Sequence, residues 1–540
     1  MLRRHFLRLF TSGVLFGIFA SRSRGVRAAN RYSFRHGVAS GDPLADGVII
    51  WTRVSGASGE AVRVDWQVGS DEHMQSVLRQ GHVTTGERRD YTVKVDVREL
   101  PPGTQLFYRF TVNDVVSTIG VTRTLPAGNV DAVRLAVVSC ASYPTGYFHV
   151  YREVASRDDI DAVIHLGDYI YEYGQGGYAT EYAEQLGRVP DPAHELLSLQ
   201  DYRSRHAQYR TDADLQAMHA AHPVIAVWDD HEIVNDGWRK GSADHSDDEG
   251  RWGKRRDAAI QSYFEWMPIR GEARGKRTRI FRQFHFGTLL SLIMLDTRFY
   301  GRDEQPRVTT EMSIDEIYRV LGDPKRRMLG ARQEKWLREA LAGDRTSTWQ
   351  IIGQQVLASP LKSPDLEPLL DPEGSSSVAQ EVLDYNIALS RNNPPLLIDT
   401  WDGYAAARDD LLTDLKELAR NPVVVSGDLH TSIAGNLLRD GDETPVAVEF
   451  MTGSVTSPGF AEYLPERFPG ALRDATLELN PNLKYMETDR RGWLHLTVTA
   501  TDCTGEWHLV DDVRSKQYTS TIDRRLTVAA GRVSDGLYAS

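Results

Sequence analysis

The sequence predicts an α/β layer fold preceded by a small all-β domain, and three observations carry that prediction. From Tyr32 to Leu125, short alternating runs are broken by Gly, Pro and Asp, the pattern of half-buried strands. Beyond Asp131, fully apolar runs alternate with helical stretches over several hundred residues, as in layered α/β proteins. Several of those runs end on Cys, Asp, His or Gln, and open α/β sheets place their ligands at such strand ends.

The chain opens on MLRRHFLRLFTSGVLFGIFASRSRGVRA (residues 1–28), which reads as an address rather than as structure. Arg3-Arg4 followed by Phe6-Leu7 has the form of a twin-arginine export signal. Its apolar part, Leu9 to Ala20, is too short to span a bilayer, and Val26-Arg27-Ala28 offers a cleavage site. The competing reading is a short basic amphipathic helix. Passage through the twin-arginine machinery would deliver an already folded protein to the periplasm or the medium. No other segment reaches the ~18 apolar residues of a membrane span.

Residues 32–126 contain VIIWTRV (Val48 to Val54), VRVDWQV (Val62 to Val68), DYTVKVDV (Asp90 to Val97) and LFYRFTV (Leu106 to Val112). Pro101-Pro102-Gly103 marks a turn between the last two, and the spacing predicts a β-sandwich of fibronectin type III-like kind. No catalytic cluster falls in it, so it reads as a structural or docking module. RTLPAGNVD (Arg123 to Asp131) links it to a second domain over residues 131–510. Residues 511–540 are left as a C-terminal extension whose position over the site is open.

The second domain is organised around Arg134 to Tyr173. Leu135 to Ser139 is a buried-strand run that ends on Cys140, and Tyr147 to Ser156 has helical spacing. Ala162 to Leu166 is a second apolar run that stops at Gly167-Asp168. Strand, helix, strand predicts a right-handed parallel βαβ unit, which brings Cys140 and Asp168 side by side at neighbouring strand ends. A thiolate beside a carboxylate points to a metal site. Four further runs end alike: Pro223 to Trp228 at Asp229-Asp230-His231-Glu232, Leu289 to Leu295 at Asp296-Thr297-Arg298, Trp349 to Gly353 at Gln354-Gln355, and Pro422 to Ser426 at Gly427-Asp428-Leu429-His430. Asn235 and Asp236 lie just beyond the first of these. One polar ending is ordinary for a loop, but six in one domain exceed what solvation explains. The acidic stretch GSADHSDDEG (residues 241–250) lacks the spacing of an EF-hand and reads as a solvated loop.

Bulk properties narrow the classes. With 63 Lys+Arg against 75 Asp+Glu the net charge is −12, and no basic patch offers itself to nucleic acid. The two cysteines, Cys140 and Cys503, allow one disulfide but not a stapled scaffold.

The order SC, HLGDYIYEY, VWDDHE, LDTRF, GQQ and SGDLH, with GVASGDPLADGVIIWTRV (Gly37 to Val54) ahead of it, closely resembles the PhoD-like alkaline phosphatases, within the calcineurin-like metallophosphoesterase superfamily. The resemblance covers nearly the whole chain after residue 28. It implies a two-sheet sandwich flanked by helices, with a metal cluster at the strand ends. Carried over residue by residue, Asp168 would bridge two metals, and Cys140, Tyr171 and His430 would complete an Fe3+ site. Phenolate and thiolate, strong anionic donors, suit a trivalent ion. Asp168, Asp230 and Asp428 would hold Ca2+, a hard ion that prefers oxygen, and Asn235 or Asp236 a second calcium.

The implied reaction is hydrolysis of a small-molecule or lipid phosphate ester by attack of a metal-bound hydroxide. His231 would contact the phosphate or protonate the leaving oxygen. Arg298 is read equally as a phosphate clamp or as a structural ion-pair former. His165 reads as a core histidine and Asp229 as a supporting partner; His206, His219 and His222 are not read as ligands. The alternative within enzymes is a phosphodiesterase, including phospholipase D-like cleavage; outside enzymes it is an exported calcium- or phosphate-binding protein with a dead site.

Overall fold

The structure, a computed structural model, describes residues 31–271, 273, 278–367, 387–388, 390–391, 393–395, 397–459, 462 and 468–539. The predicted leader lies outside them. Among the described residues the chain forms a ten-stranded, a seven-stranded and a five-stranded sheet.

The ten-stranded sheet is centred on the predicted βαβ unit. Strand Ala132–Val138 pairs in parallel with Ala162–His165, which pairs in parallel with Pro223–Ala226. These runs are largely apolar because helices cover one face and the second sheet covers the other, the condition under which parallel strands lose their alternation. The second sheet runs Leu290–Met294, Trp349–Gly353, Pro422–Ser426 and Ala447–Met451 in parallel. Leu135, Val137 and Ile164 of the first sheet share a core with Leu292, Ile351, Val425 and Phe450 of the second. Outside the second sheet, Ile293, Ile352 and Val424 pack under Leu337 and Leu341 of helix Ala331–Gly343 and Leu411 and Leu415 of helix Ala405–Leu418. Helix, sheet, sheet, helix is the layering.

The first ninety-odd residues divide between two sheets. Val38–Leu44, Gly47–Arg53 and Thr92–Arg98 extend the ten-stranded sheet beyond Pro223–Ala226, while Val62–Gly69, Val77–Thr85 and Gln105–Val112 belong to the five-stranded one. Val48 and Ile50 face Val64, Val68, Tyr108 and Phe110 across the gap, so one layer of this sandwich is borrowed from the large sheet. Asp42, in the predicted GDPLADG opening, is buried there with Arg282 (2.6 Å) from the second sheet's edge. At the other end, Ser520–Ala529 pairs with Asp502–Val510, so much of residues 511–540 is sheet. No helix among the described residues is long and apolar enough to cross a membrane. Cys140 and Cys503 are both buried and free, so the single disulfide the sequence allowed is not formed.

Candidate metal centre at the strand ends

The two parallel sheets bring their carboxyl ends to one rim. Cys140 N–H donates to Gly167 O (3.2 Å) and Ala141 N–H to Asp168 O (2.9 Å), which prolongs strand pairing into the two loops and sets Cys140 beside Asp168. Gly167 is required here: a Cβ on it would meet Asp229 backbone and Cβ at 2.4 Å. From the second sheet, Val455 N–H donates to Ser139 O (2.9 Å) and Ser457 Oγ to Cys140 O (3.0 Å), which locks the sheets together beneath the site. Buried Glu232 braces the corner, accepting from Asp168 N–H (3.0 Å), Tyr169 N–H (2.5 Å) and Asp229 N–H (2.6 Å).

Backbone strain concentrates at the same place. Cys140 (φ 62°), Asp168 (53°), Asp236 (52°), Asp428 (76°) and His430 (55°) all adopt left-handed backbone without being glycine. Such residues cost about 1–3 kcal/mol each and persist where surrounding structure imposes them, typically at functional sites.

Four overlapping groups of donors result, one of which joins His231 to Asp168 and Asp230 and three of which lack it. Ligand atoms of Cys140, Asp168 and His430 lie within 4.8 Å of one another, as do those of Asp168, Asp229, Asp230 and Asp428, and those of Asp230, Asp236 and Asp399. The Tyr171 hydroxyl joins the first group, donating to Asp168 Oδ2 (3.0 Å), lying 3.1 Å from His430 Nε2 and accepting from Ser457 Oγ (2.6 Å). His430 Nδ1–H donates to Pro458 O (2.9 Å), which leaves the Nε2 lone pair facing the group. Burial holds this imidazole down to about 3, hence neutral and able to ligate.

The donor set fits cations. Burial, and then the Asp168 charge, push the Cys140 thiol and the Tyr171 phenol well above their ordinary values. Burial likewise raises Asp168 and Asp428, with Asp229 and Asp230 adding repulsion. Asp168 Oδ1 is buried without a hydrogen-bond partner. Acidic groups that desolvate and repel one another in this way are held ionised by multivalent cations among them. Thiol, phenol, imidazole and carboxylate in the first group, and carboxylates alone in the second and third, divide as a transition ion and calcium divide their ligands.

His231 stands beside the cluster. Its Nδ1 is 2.8 Å from Oε2 of the fully buried Glu172, whose Oε1 accepts from Asn235 N–H (2.6 Å). Burial opposes protonation of His231, but Glu172, Asp168 and Asp230 outweigh it and hold the group well above its ordinary value. Tyr171, Tyr173 and Tyr178 surround the imidazole, with ring centroids 4.3, 5.4 and 6.3 Å away. Side-chain exposure rises from 0–3% at Arg298 and Asp230 to 10% at His231, 14% at Asp428 and 23% at Asp399, which marks the mouth.

The Arg298 guanidinium is fully buried and surrounded by Asp229, Asp230, Asp399 and Asp428, an arrangement that favours the ion-pairing role over the phosphate clamp. Asn235 donates from Nδ2 to Asp244 (2.8 Å) in the acidic 241–250 loop, and the neighbouring Asp236 meets Asp230. Asp229, read as a supporting partner, reaches into the second donor group itself. Gln355 and Asp296 brace the corner: Gln355 Oε1 accepts from Thr297 N–H (3.0 Å), and Asp296 Oδ1 accepts from Arg298 N–H (2.9 Å). His165 is a neutral core histidine between Tyr151 (2.8 Å) and Gly167 N–H, and His219 and His222 bond Tyr169 and Val154 O. Sequence reasoning missed Glu172, although it lies inside GDYIYEY, and Asp399, which no motif announced.

Comparison with known proteins agrees with this geometry. Residues 135–507 match the family described as PhoD-like phosphatase, and residues 20–126 match its N-terminal domain. Alkaline phosphatase D of Bacillus subtilis (strain 168) is 35% identical over 510 residues, covering 90% of this chain and 80% of that protein. A solved structure titled "Structure of PhoD" superposes with a TM-score of 0.79 at 32% identity, covering 94% of this chain and 92% of the other. The chain belongs to the PhoD-like phosphatase family.

Proposed function

We propose that this protein is an exported, metal-dependent hydrolase of phosphate esters. The observation that carries the reading is the position of Asp168, whose carboxylate is common to the Cys140–His430 group and to the Asp229–Asp230–Asp428 group. Cys140, Asp168, Tyr171 and His430 would hold one Fe3+; Asp168, Asp230 and Asp428 would hold Ca2+, and Asp236 and Asp399 with Asp230 a second calcium. Bound there, the ions supply Lewis-acid charge and water activation for an in-line attack on phosphorus. The Arg3-Arg4 leader supports export in the folded state through the twin-arginine route. Metal-loaded protein should turn over p-nitrophenyl phosphate, bis(p-nitrophenyl) phosphate or both; inertness toward each would overturn the proposal. Ferric iron bound by phenolate and thiolate absorbs visible light, so a colourless, iron-free and fully active preparation would rule out the Cys140–Tyr171 ligand set.

The chain's own acid is His231. Glu172 accepts a hydrogen bond from Nδ1–H, fixes the ring and, with Asp168 and Asp230, favours the protonated imidazole, whose Nε2–H would serve the leaving oxygen. Tyr171, Tyr173 and Tyr178 pack around the ring. A positioned general acid contributes about 10²–10⁴-fold. His231→Asn should therefore lower kcat on this scale for an alkyl phosphate and much less for p-nitrophenyl phosphate, whose leaving group needs no proton. Glu172→Gln should move both substrates in the same direction by less. Equal losses on the two esters would assign His231 to phosphate binding instead.

A further inference from the structure

Away from the strand-end cluster, on the wing of the ten-stranded sheet, a second set of metal-type donors faces one point. His495 on strand Arg491–Thr499 lies directly opposite Glu506 on strand Asp502–Val510, and Trp493 lies opposite His508 in the same ladder. Side chains two apart share a face of a strand, so the two imidazoles and the carboxylate converge on one side. Glu506 Oε2 is 3.4 Å from His495 Nδ1 and 3.7 Å from His508 Nε2, and the three donor atoms all lie within 4.8 Å of one another.

Both separations lie beyond the range of about 2.7–3.2 Å of a well-formed N–H···O bond and are those of a loose ion pair when the imidazoles are protonated. Both ring nitrogens of His495 and Nε2 of His508 are buried without a hydrogen-bond partner, although the residues are only 4% and 7% exposed. Two ligands of one tetrahedral ion at about 2.0–2.2 Å stand about 3.4 Å apart, which is the spacing found. We propose that His495, Glu506 and His508 form a second metal site that takes a divalent first-row transition ion of the zinc class, with water as the fourth ligand.

The surroundings are those of a ligand set. Glu506 Oε1 is held by Arg525 of the next strand, which orients the carboxylate and leaves Oε2 to the ion, as supporting hydrogen bonds do for ligating groups. Trp493 stacks on His508 with ring centroids 4.5 Å apart and 19° between planes, fixing that ring. Arg157, the other nearby cation, is taken up by Asp159 through two bonds of 2.8 Å. Burial lowers both imidazoles, His508 to about 4, so each offers a lone pair at neutral pH. Nitrogen donors select against calcium, which keeps this site chemically distinct from the carboxylate groups of the strand-end cluster. An ion here would clasp strands Arg491–Thr499 and Asp502–Val510 together.

The test is anomalous diffraction from crystals of the holoenzyme soaked in Zn2+, recorded on both sides of the zinc absorption edge. The expected result is a peak about 2.0–2.2 Å from the three donors, lost in His508→Gln and in Glu506→Gln while phosphate-ester turnover stays unchanged. Zinc found only at the strand-end cluster, or no zinc at all, would overturn the proposal, as would a peak that survives both substitutions. Because the wild-type map decides the matter alone, failure of either variant to fold does not blunt the test.

Discussion

Asp168→Asn is expected to lower turnover by on the order of 10³-fold or more and to release metal during purification. The substitution keeps the size of the side chain and removes the charge that three donor groups share. Several kcal/mol of Lewis-acid stabilisation depend on the ions, and each 1.36 kcal/mol is tenfold in rate. The fold should survive, because Asp168 N–H is held by Glu232 whatever the side chain does, and the buried charge that is lost was itself unfavourable without a cation. Elemental analysis beside steady-state kinetics makes the measurement. Near-normal turnover with a full complement of metal would show that Asp168 bridges nothing.

Arg298→Met is expected to destabilise the protein by about 3–5 kcal/mol, read from its denaturant midpoint, since breaking a buried ion pair leaves charge without compensation. The residue is unusual in facing four carboxylates, those of Asp229, Asp230, Asp399 and Asp428, with no exposed surface. Burial pushes the Asp229 carboxyl up even with the guanidinium beside it. The loss should be larger in metal-stripped protein, where no cation shares the work, than in the loaded form. Arg298→Lys keeps one charge but not the planar fork that spans Asp229 and Asp428, and should recover only part of the stability. Unchanged stability with a raised KM would return Arg298 to the phosphate.

Strand ends were the legible part of this protein. Apolar runs closing on Cys140, Asp168, Asp230 and Asp428 announced both the layering and the rim, because a buried strand must be apolar and the loop after it is free to carry chemistry. Trp349–Gly353 and Pro422–Ser426 begin and end where the pattern places them. What escaped was whatever depends on three-dimensional proximity. Glu172 resembles the acidic residues of any polar loop until the fold sets it against His231. Asp399 closes an unremarkable apolar run and reaches Arg298 only in the fold. The division of residues 32–126 between two sheets was equally hidden, since alternation reports that a strand has one buried face but not which sheet adopts it.

The ten-stranded sheet has a consequence for biosynthesis. Ala132–Val138, the strand that delivers Cys140, is hydrogen-bonded on its outer side to Arg491–Thr499, and the sheet continues through Ser520–Ala529. A nascent chain on the ribosome therefore cannot finish the layer on which Cys140 sits until residues about 350 positions further on have been made. Pairings this remote in sequence close late, so the edge of Ala132–Val138 stays open for most of synthesis.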